Sequence, residues 1–145
     1  MNFSSSKRSA DLHLHTLFSD GTYTPEELIS QSLKVDLSAI AVVDHDTVAG
    51  VGPAIAEAHN KGLEILSGIE LSAAYENKEI HILGYLIDHQ NETLLKRLES
   101  LKENRVERVY KMVDKLNNLG INLKPESVFA LSGNGTVGRL HIARA

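Results

Sequence analysis

Cysteine is absent from the 145 residues, so disulfides and thiolate metal sites are excluded and any metal must be held by imidazole and carboxylate groups. Tryptophan is absent too and aromatic residues make up 5%, which leaves the core to Leu, Ile, Val and Ala. No apolar run is long enough to span a bilayer. The Ser-rich start from Met1 to Ala10 has no apolar run either and does not read as a secretory signal, so a cytoplasmic protein is expected. A formal charge of -4 supplies no global basic field for nucleic acid, although bound cations would reverse the sign locally. No internal repeat or low-complexity segment is evident. What remains is an apolar fraction of 42% in about one domain's length.

Against these absences stands one dense stretch, Asp11-Leu12-His13-Leu14-His15-Thr16-Leu17-Phe18-Ser19-Asp20-Gly21. If residues 10 to 15 form a strand, Asp11, His13 and His15 share a face and Leu12 and Leu14 take the other. Ser19-Asp20-Gly21 reads as a turn that returns a further carboxylate to the imidazoles, completing a divalent-metal donor set. Taken alone, the pair also fits a half-buried strand with hydrogen-bonded histidines.

The later chain repeats the pattern. Thr24-Pro25-Glu26-Glu27 announces a helix with Thr24 as N-cap and Glu27 closing a capping box, followed by a stripe of Leu28, Ile29, Ser32 and Leu33. Ser38 to Val43 suits a parallel strand covered on both faces and ends in Asp44-His45-Asp46-Thr47. A second helix is predicted from about Val51 to Asn60, then a strand from Leu63 to Ser72 with a kink at Gly68 and with Glu70 among apolar neighbours. An unpaired carboxylate there would be costly. The next strand, from Glu79 to Ile87, carries His81. From Asn91 to Leu119 the spacing predicts one long amphipathic helix with a solvated charged face, stopped by Gly120. A short helix starts at Pro125, and Ser132 to Gly138 reads as a flexible Gly-rich loop leading into Arg139-Leu140-His141. His59 and His89 read as surface residues.

Four successive segments thus bring ligand-type residues to or near strand ends, and parallel strand-helix units place such ends on one rim. The motifs D-L-H-L-H-T-L-F-S-D-G, V-V-D-H-D-T, G-I-E-L-S and E-I-H-I-L-G-Y occur in the order seen in the PHP (polymerase and histidinol phosphatase) superfamily of metal-dependent phosphoesterases, which the chain resembles over residues 10–88 and more loosely beyond. It is most similar to small bacterial members acting on nucleoside 3',5'-bisphosphates and 5'-phosphorylated RNA ends, which also carry a helical insertion followed by an Arg-x-His segment.

The resemblance implies an α/β fold, a distorted TIM-like (β/α)7 barrel with a helical insertion, holding two or three divalent ions. Mn is the first choice, with Mg, Zn or Fe as alternatives. It implies that His13, His15 and Glu70 bind one ion, Glu70 and His81 a second, and Asp20 and His45 a third. Arg139 and His141 would contact substrate phosphate, although the family more often has proline at the place of Leu140. Asp11, Asp44 and Asp46 are expected to orient imidazoles. The implied function is hydrolysis of nucleotide phosphate esters by a metal-activated water, with a phosphorylated small molecule, nucleotide or RNA 5' end as partner, no membrane, and no oligomeric state indicated. Competing readings are a histidinol-phosphate-type phosphatase, a proofreading exonuclease and a non-catalytic metal-binding or interaction module. Residues 1–9 are expected as a disordered tail, 10–90 as barrel strand-helix units and 91–145 as a helical insertion subdomain. A full barrel takes about 250 residues. The family's later His and Asp-x-His ligands have no counterpart before Ala145, so the chain is expected to be the N-terminal half of the fold and inactive by itself.

Overall fold

A computed structural model, which describes residues 9–76 and 78–145, shows one four-stranded sheet ordered as in the chain. Its strands are β1 (Ser9–Leu14), β2 (Leu37–Val42), β3 (Glu64–Tyr75) and β4 (Lys78–Tyr85). β1, β2 and β3 run parallel, joined through α1 (Pro25–Lys34) and α2 (Val51–Ala58). β4 corrects the expectation of a parallel series: it returns antiparallel to β3, with Gly68 facing Tyr85 and Tyr75 facing Lys78. The chain between Tyr75 and Lys78 is too short for the crossover a parallel strand needs. β4 therefore starts at the rim where β3 ends, which puts His81 on that rim from the opposite chain direction. The sheet curls far enough for its two edges to touch, the Tyr85 hydroxyl donating to the Leu12 carbonyl at 2.9 Å. Of the expected tail over residues 1–9, Ser9 opens β1 and the rest lies outside the described residues.

Local signals account for the helices. At α1 the Thr24 hydroxyl accepts from the Glu27 N–H while the Glu27 carboxylate accepts from the Thr24 N–H, with Pro25 at the first turn. Leu28, Ile29 and Ser32 are its buried face. α3 (Glu92–Asn118) is capped by the Asn91 side chain, and Gly120 just beyond it has φ 86°, a conformation glycine adopts without strain. α4 (Pro125–Ser132) and α5 (Arg139–Arg144) complete the chain. No helix among the described residues is long and apolar enough to cross a membrane.

Two apolar clusters form the core. Ile29, Ile40, Val42, Val51 and Ile69 pack the two leading helices on the sheet, and Leu98 of α3 joins them. Val109 and Val113, further along α3, pack instead with Val128, Val137 and Ile142. α3 thus belongs to both clusters and ties the helical segments to the sheet. Gly68 marks where β3 leaves β2 for β4; a Cβ there would stand 2.6 Å from the Val43 side chain, so close strand packing rather than a kink requires glycine.

Candidate metal centre

The loop that follows β2 is stitched to the middle of β3 by backbone bonds. The Glu70 N–H donates to the Asp44 carbonyl at 3.2 Å, and the Asp46 N–H donates to the Glu70 carbonyl at 3.0 Å, which sets His45 beside Glu70. The turn after β1 is closed by the Ser19 and Gly21 N–H groups, both donating to the Thr16 carbonyl, and it directs Asp20 toward the same place.

Glu70 is the hub. Its Oε2 lies 2.9 Å from His13 Nε2, 3.1 Å from His15 Nε2 and 3.6 Å from His45 Nδ1, while its Oε1 lies 2.7 Å from His81 Nδ1. Asp20 is a second anchor, 3.5 Å from His15 Nδ1 and 3.6 Å from His45 Nε2. The structure therefore gathers all six residues expected as ligands, in three groups whose donor atoms lie within 4.8 Å of one another: His13, His15 and Glu70; His15, Asp20 and His45; His45, Glu70 and His81. His15 and His45 are each shared between two groups.

The donor set fits divalent ions on two counts. Among the described residues His45 Nδ1 is buried without a hydrogen-bond partner, an arrangement that costs free energy unless something else takes up the lone pair. Two ligands bonded to one ion at about 2.1 Å, at angles of roughly 90° to 109°, stand about 3.0 to 3.4 Å apart, which is the scale of the separations seen here. Burial alone would raise the Glu70 carboxyl, but the hydrogen bonds of His13 and His81 and the fields of His45 and His15 outweigh it and hold Glu70 below its ordinary range. Burial pushes the His45 imidazole below its ordinary value, with His15 and Arg105 adding to the effect and Asp20 and Glu70 opposing it. A lowered imidazole pKa keeps the neutral form, the one that ligates.

A family model for the PHP domain matches residues 11–137. The chain belongs to the PHP domain family. It is 36% identical over 134 residues to a 5'-3' exoribonuclease of Haemophilus influenzae, covering 92% of this chain and 48% of that protein. It is 36% identical over 111 residues to a 3',5'-nucleoside bisphosphate phosphatase of Chromobacterium violaceum, covering 77% and 39%. A Bifidobacterium adolescentis protein, provisionally assigned as a metal-dependent phosphoesterase, superposes with a TM-score of 0.85 at 34% identity, covering 95% of this chain and 49% of that one. The PHP chain spans about half the length of the curated relatives it matches, in keeping with an N-terminal half of a PHP barrel.

Three aspartates expected to orient imidazoles in the PHP site do something else. Asp44 accepts from the Thr16 N–H and hydroxyl and from the Ser19 hydroxyl, so it shapes the β1 turn and reaches an imidazole only through Ser19, whose oxygen lies 3.3 Å from His15 Nδ1. Asp46 accepts from the Ser72 N–H at 2.8 Å and from Arg105 Nε at 2.6 Å. Asp11 accepts from the His13 backbone N–H, not from its ring. Asp11 is taken up by a local backbone donor two residues on, whereas Asp44 and Asp46 are taken up by backbone, hydroxyl and guanidinium donors brought in from distant segments.

The loop expected to be flexible is docked. The Thr136 hydroxyl donates to the His45 carbonyl at 2.7 Å, its N–H donates to the Phe18 carbonyl at 2.8 Å, and Gly135 packs against Leu17 and Phe18. Beyond it, a cleft of about 260 Å³ opens beside the cluster, lined among others by Asp20, His45, Glu79, His81, Arg108 and Arg139. Arg139 lines this cleft and pairs with Glu79 at 3.0 Å. His141 is buried instead, its Nδ1 accepting from the Gly138 N–H, and burial, assisted by Arg144 and Arg105 and opposed by Asp20, lowers its pKa.

Sequence reasoning missed Arg105, Arg108 and Glu79. The charged face of α3 is not wholly solvated: Arg105 is buried and bonds Asp46, Ser72 and the Val137 carbonyl, while Arg108 pairs with Glu79 at 3.2 Å. The signal for Arg105 was present, because Leu98, Leu101, Arg105 and Val109 recur at three- and four-residue spacing and place the arginine inside the apolar stripe. His59 is exposed and His89 half-buried, and neither belongs to the three donor groups.

Proposed function

We propose that the protein is a metal-dependent phosphoesterase that hydrolyses phosphate esters of nucleotides, either a nucleoside 3',5'-bisphosphate or the 5' end of RNA. The observation that carries this reading is the single carboxylate of Glu70 ringed by His13, His15, His45 and His81, beside a cleft that presents Arg108 and Arg139. The names of the exoribonuclease and bisphosphate phosphatase relatives favour a nucleotide substrate.

His13, His15 and Glu70 would hold one ion, Glu70 and His81 with His45 a second, and Asp20 and His45 with His15 a third. Imidazole mixed with carboxylate suits Mn, Fe or Zn, and of these Mn is the proposed metal. When bound, such ions supply Lewis acidity and a water activated near neutral pH. The chain's own contribution is placement. Asp44 and Thr136 fix the two loops that carry Asp20 and His45, and Arg108 and Arg139 lie where they can neutralise phosphoryl oxygens. His141 is buried in this arrangement, so of the pair Arg139 and His141 a direct phosphate contact is proposed for Arg139 only. The proposed setting is the cytoplasm.

The test is release of inorganic phosphate from a nucleoside 3',5'-bisphosphate in the presence of Mn, by a polypeptide with the length of the relatives. Turnover is expected, and His13→Ala and Glu70→Ala are expected to abolish it. Equal turnover by Glu70→Ala removes the reading.

A further inference from the structure

We propose that Glu79 is a positioning residue of the metal centre: it holds the single ring proton of His81 on Nε2 and so leaves the Nδ1 lone pair facing the ion at Glu70. The proposal rests on the metal-site reading above and adds a residue to it. His81 stands between two carboxylates, with Nδ1 2.7 Å from Glu70 Oε1 and Nε2 3.1 Å from Glu79 Oε1. A neutral imidazole carries one N–H, and a nitrogen that binds a cation must be the other one. Glu79 and His81 are two apart on β4, so their side chains share a face and the acceptor is built into the strand.

Glu79 is itself held from two further elements. Its Oε2 accepts from Arg108 Nη1 on α3 at 3.2 Å and from Arg139 Nη1 on α5 at 3.0 Å. The other oxygen is thereby aimed at His81. A carboxylate behind a ligating imidazole sets the tautomer and ring angle and raises ligand basicity. Here that carboxylate also links the donor cluster to Arg108 and Arg139, which line the cleft.

Zn²⁺ alone is the probe, because it is diamagnetic and both affinity and the ring nitrogens of His81 can be followed. Calorimetry and long-range ¹H–¹⁵N spectra are compared for the chain, Glu79→Ala, Glu79→Gln and His81→Ala. With Zn²⁺ the unsubstituted chain is expected to show Nε2 protonated and Nδ1 bound. Glu79→Ala is expected to weaken binding about tenfold and to mix the tautomers, while Glu79→Gln, which keeps an acceptor for Nε2–H, stays within about threefold. The proposal is overturned if Glu79→Ala keeps the original affinity and tautomer, or if Gln and Ala lose alike, which reduces Glu79 to a charge. Loss in His81→Ala but not in Glu79→Ala removes this inference only. No Zn²⁺ binding at all, or none lost in His81→Ala, removes it together with the metal-site reading.

Discussion

The carboxylate of Asp44 accepts both the backbone N–H and the hydroxyl of Thr16, each at 2.7 Å. Ser19 supplies a third donor at 2.6 Å, and all three residues are buried. Removing the acceptor leaves three buried donors unsatisfied, each costing about 1–3 kcal/mol. Asp44→Ala is therefore expected to destabilise the chain by about 3 kcal/mol or more, read from urea unfolding. A loss under about 1 kcal/mol contradicts this role.

Arg105 and Asp46 form a buried ion pair at 2.6 Å. Asp46 also has a left-handed backbone, φ 51°, held by its bond from the Ser72 N–H. Arg105→Ala strands the Asp46 carboxylate, and breaking a buried pair from one side costs about 3–5 kcal/mol. Chemical unfolding is expected to show a loss on that scale, and an unchanged midpoint would place the arginine outside the fold's support.

At Gly135 an added Cβ would stand 2.7 Å from the Leu17 carbonyl oxygen. That oxygen is backbone and has little room to give. Gly135→Ala is expected to cost about 1–3 kcal/mol by overpacking and to loosen Thr136 from His45. Gly52→Ala is the control, since its nearest neighbour, His89, would be 3.8 Å away, and it is expected to leave the thermal midpoint unchanged or raised.

Acidification acts through the buried imidazoles. Folded His45 and His141 both titrate below their ordinary value of 6.5, so on acidification from neutrality the unfolded chain takes up protons first. Their contribution to stability is complete above that value and falls as pH drops below it. Glu70, lowered from 4.5, contributes above 4.5 and loses its share only as pH falls further, through its folded value. The urea midpoint is expected to fall between neutral and mildly acidic pH, with a shallower slope in His141→Gln. An identical slope in that variant contradicts the assignment.

Much of this was legible in the sequence because the signals are local. The alternation in Asp11 to His15, the capping box at Thr24 and the apolar run ending at Asp44 each follow from a few neighbouring residues. The direction of β4 depends on counting too few residues between Tyr75 and Lys78 for a crossover, a cue outweighed by the expectation of repeated strand-helix units. The partners of Asp44 and Asp46, and the arginines Arg108 and Arg139 on Glu79, lie 25 to 60 positions away along the chain, and no spacing rule connects them. Gly135 shows the opposite error. A glycine-rich stretch read as freedom is glycine because two carbonyls lie too close for a side chain.

Imidazoles and acids from separate segments converge on Glu70, the arrangement proposed to hold cations. Calorimetric titration of the chain with Mn²⁺, set beside Glu70→Gln, tests it most directly. Saturable binding, weakened at least about tenfold in the variant, is the predicted result. Equal binding by both, or none by the unsubstituted chain, would contradict it.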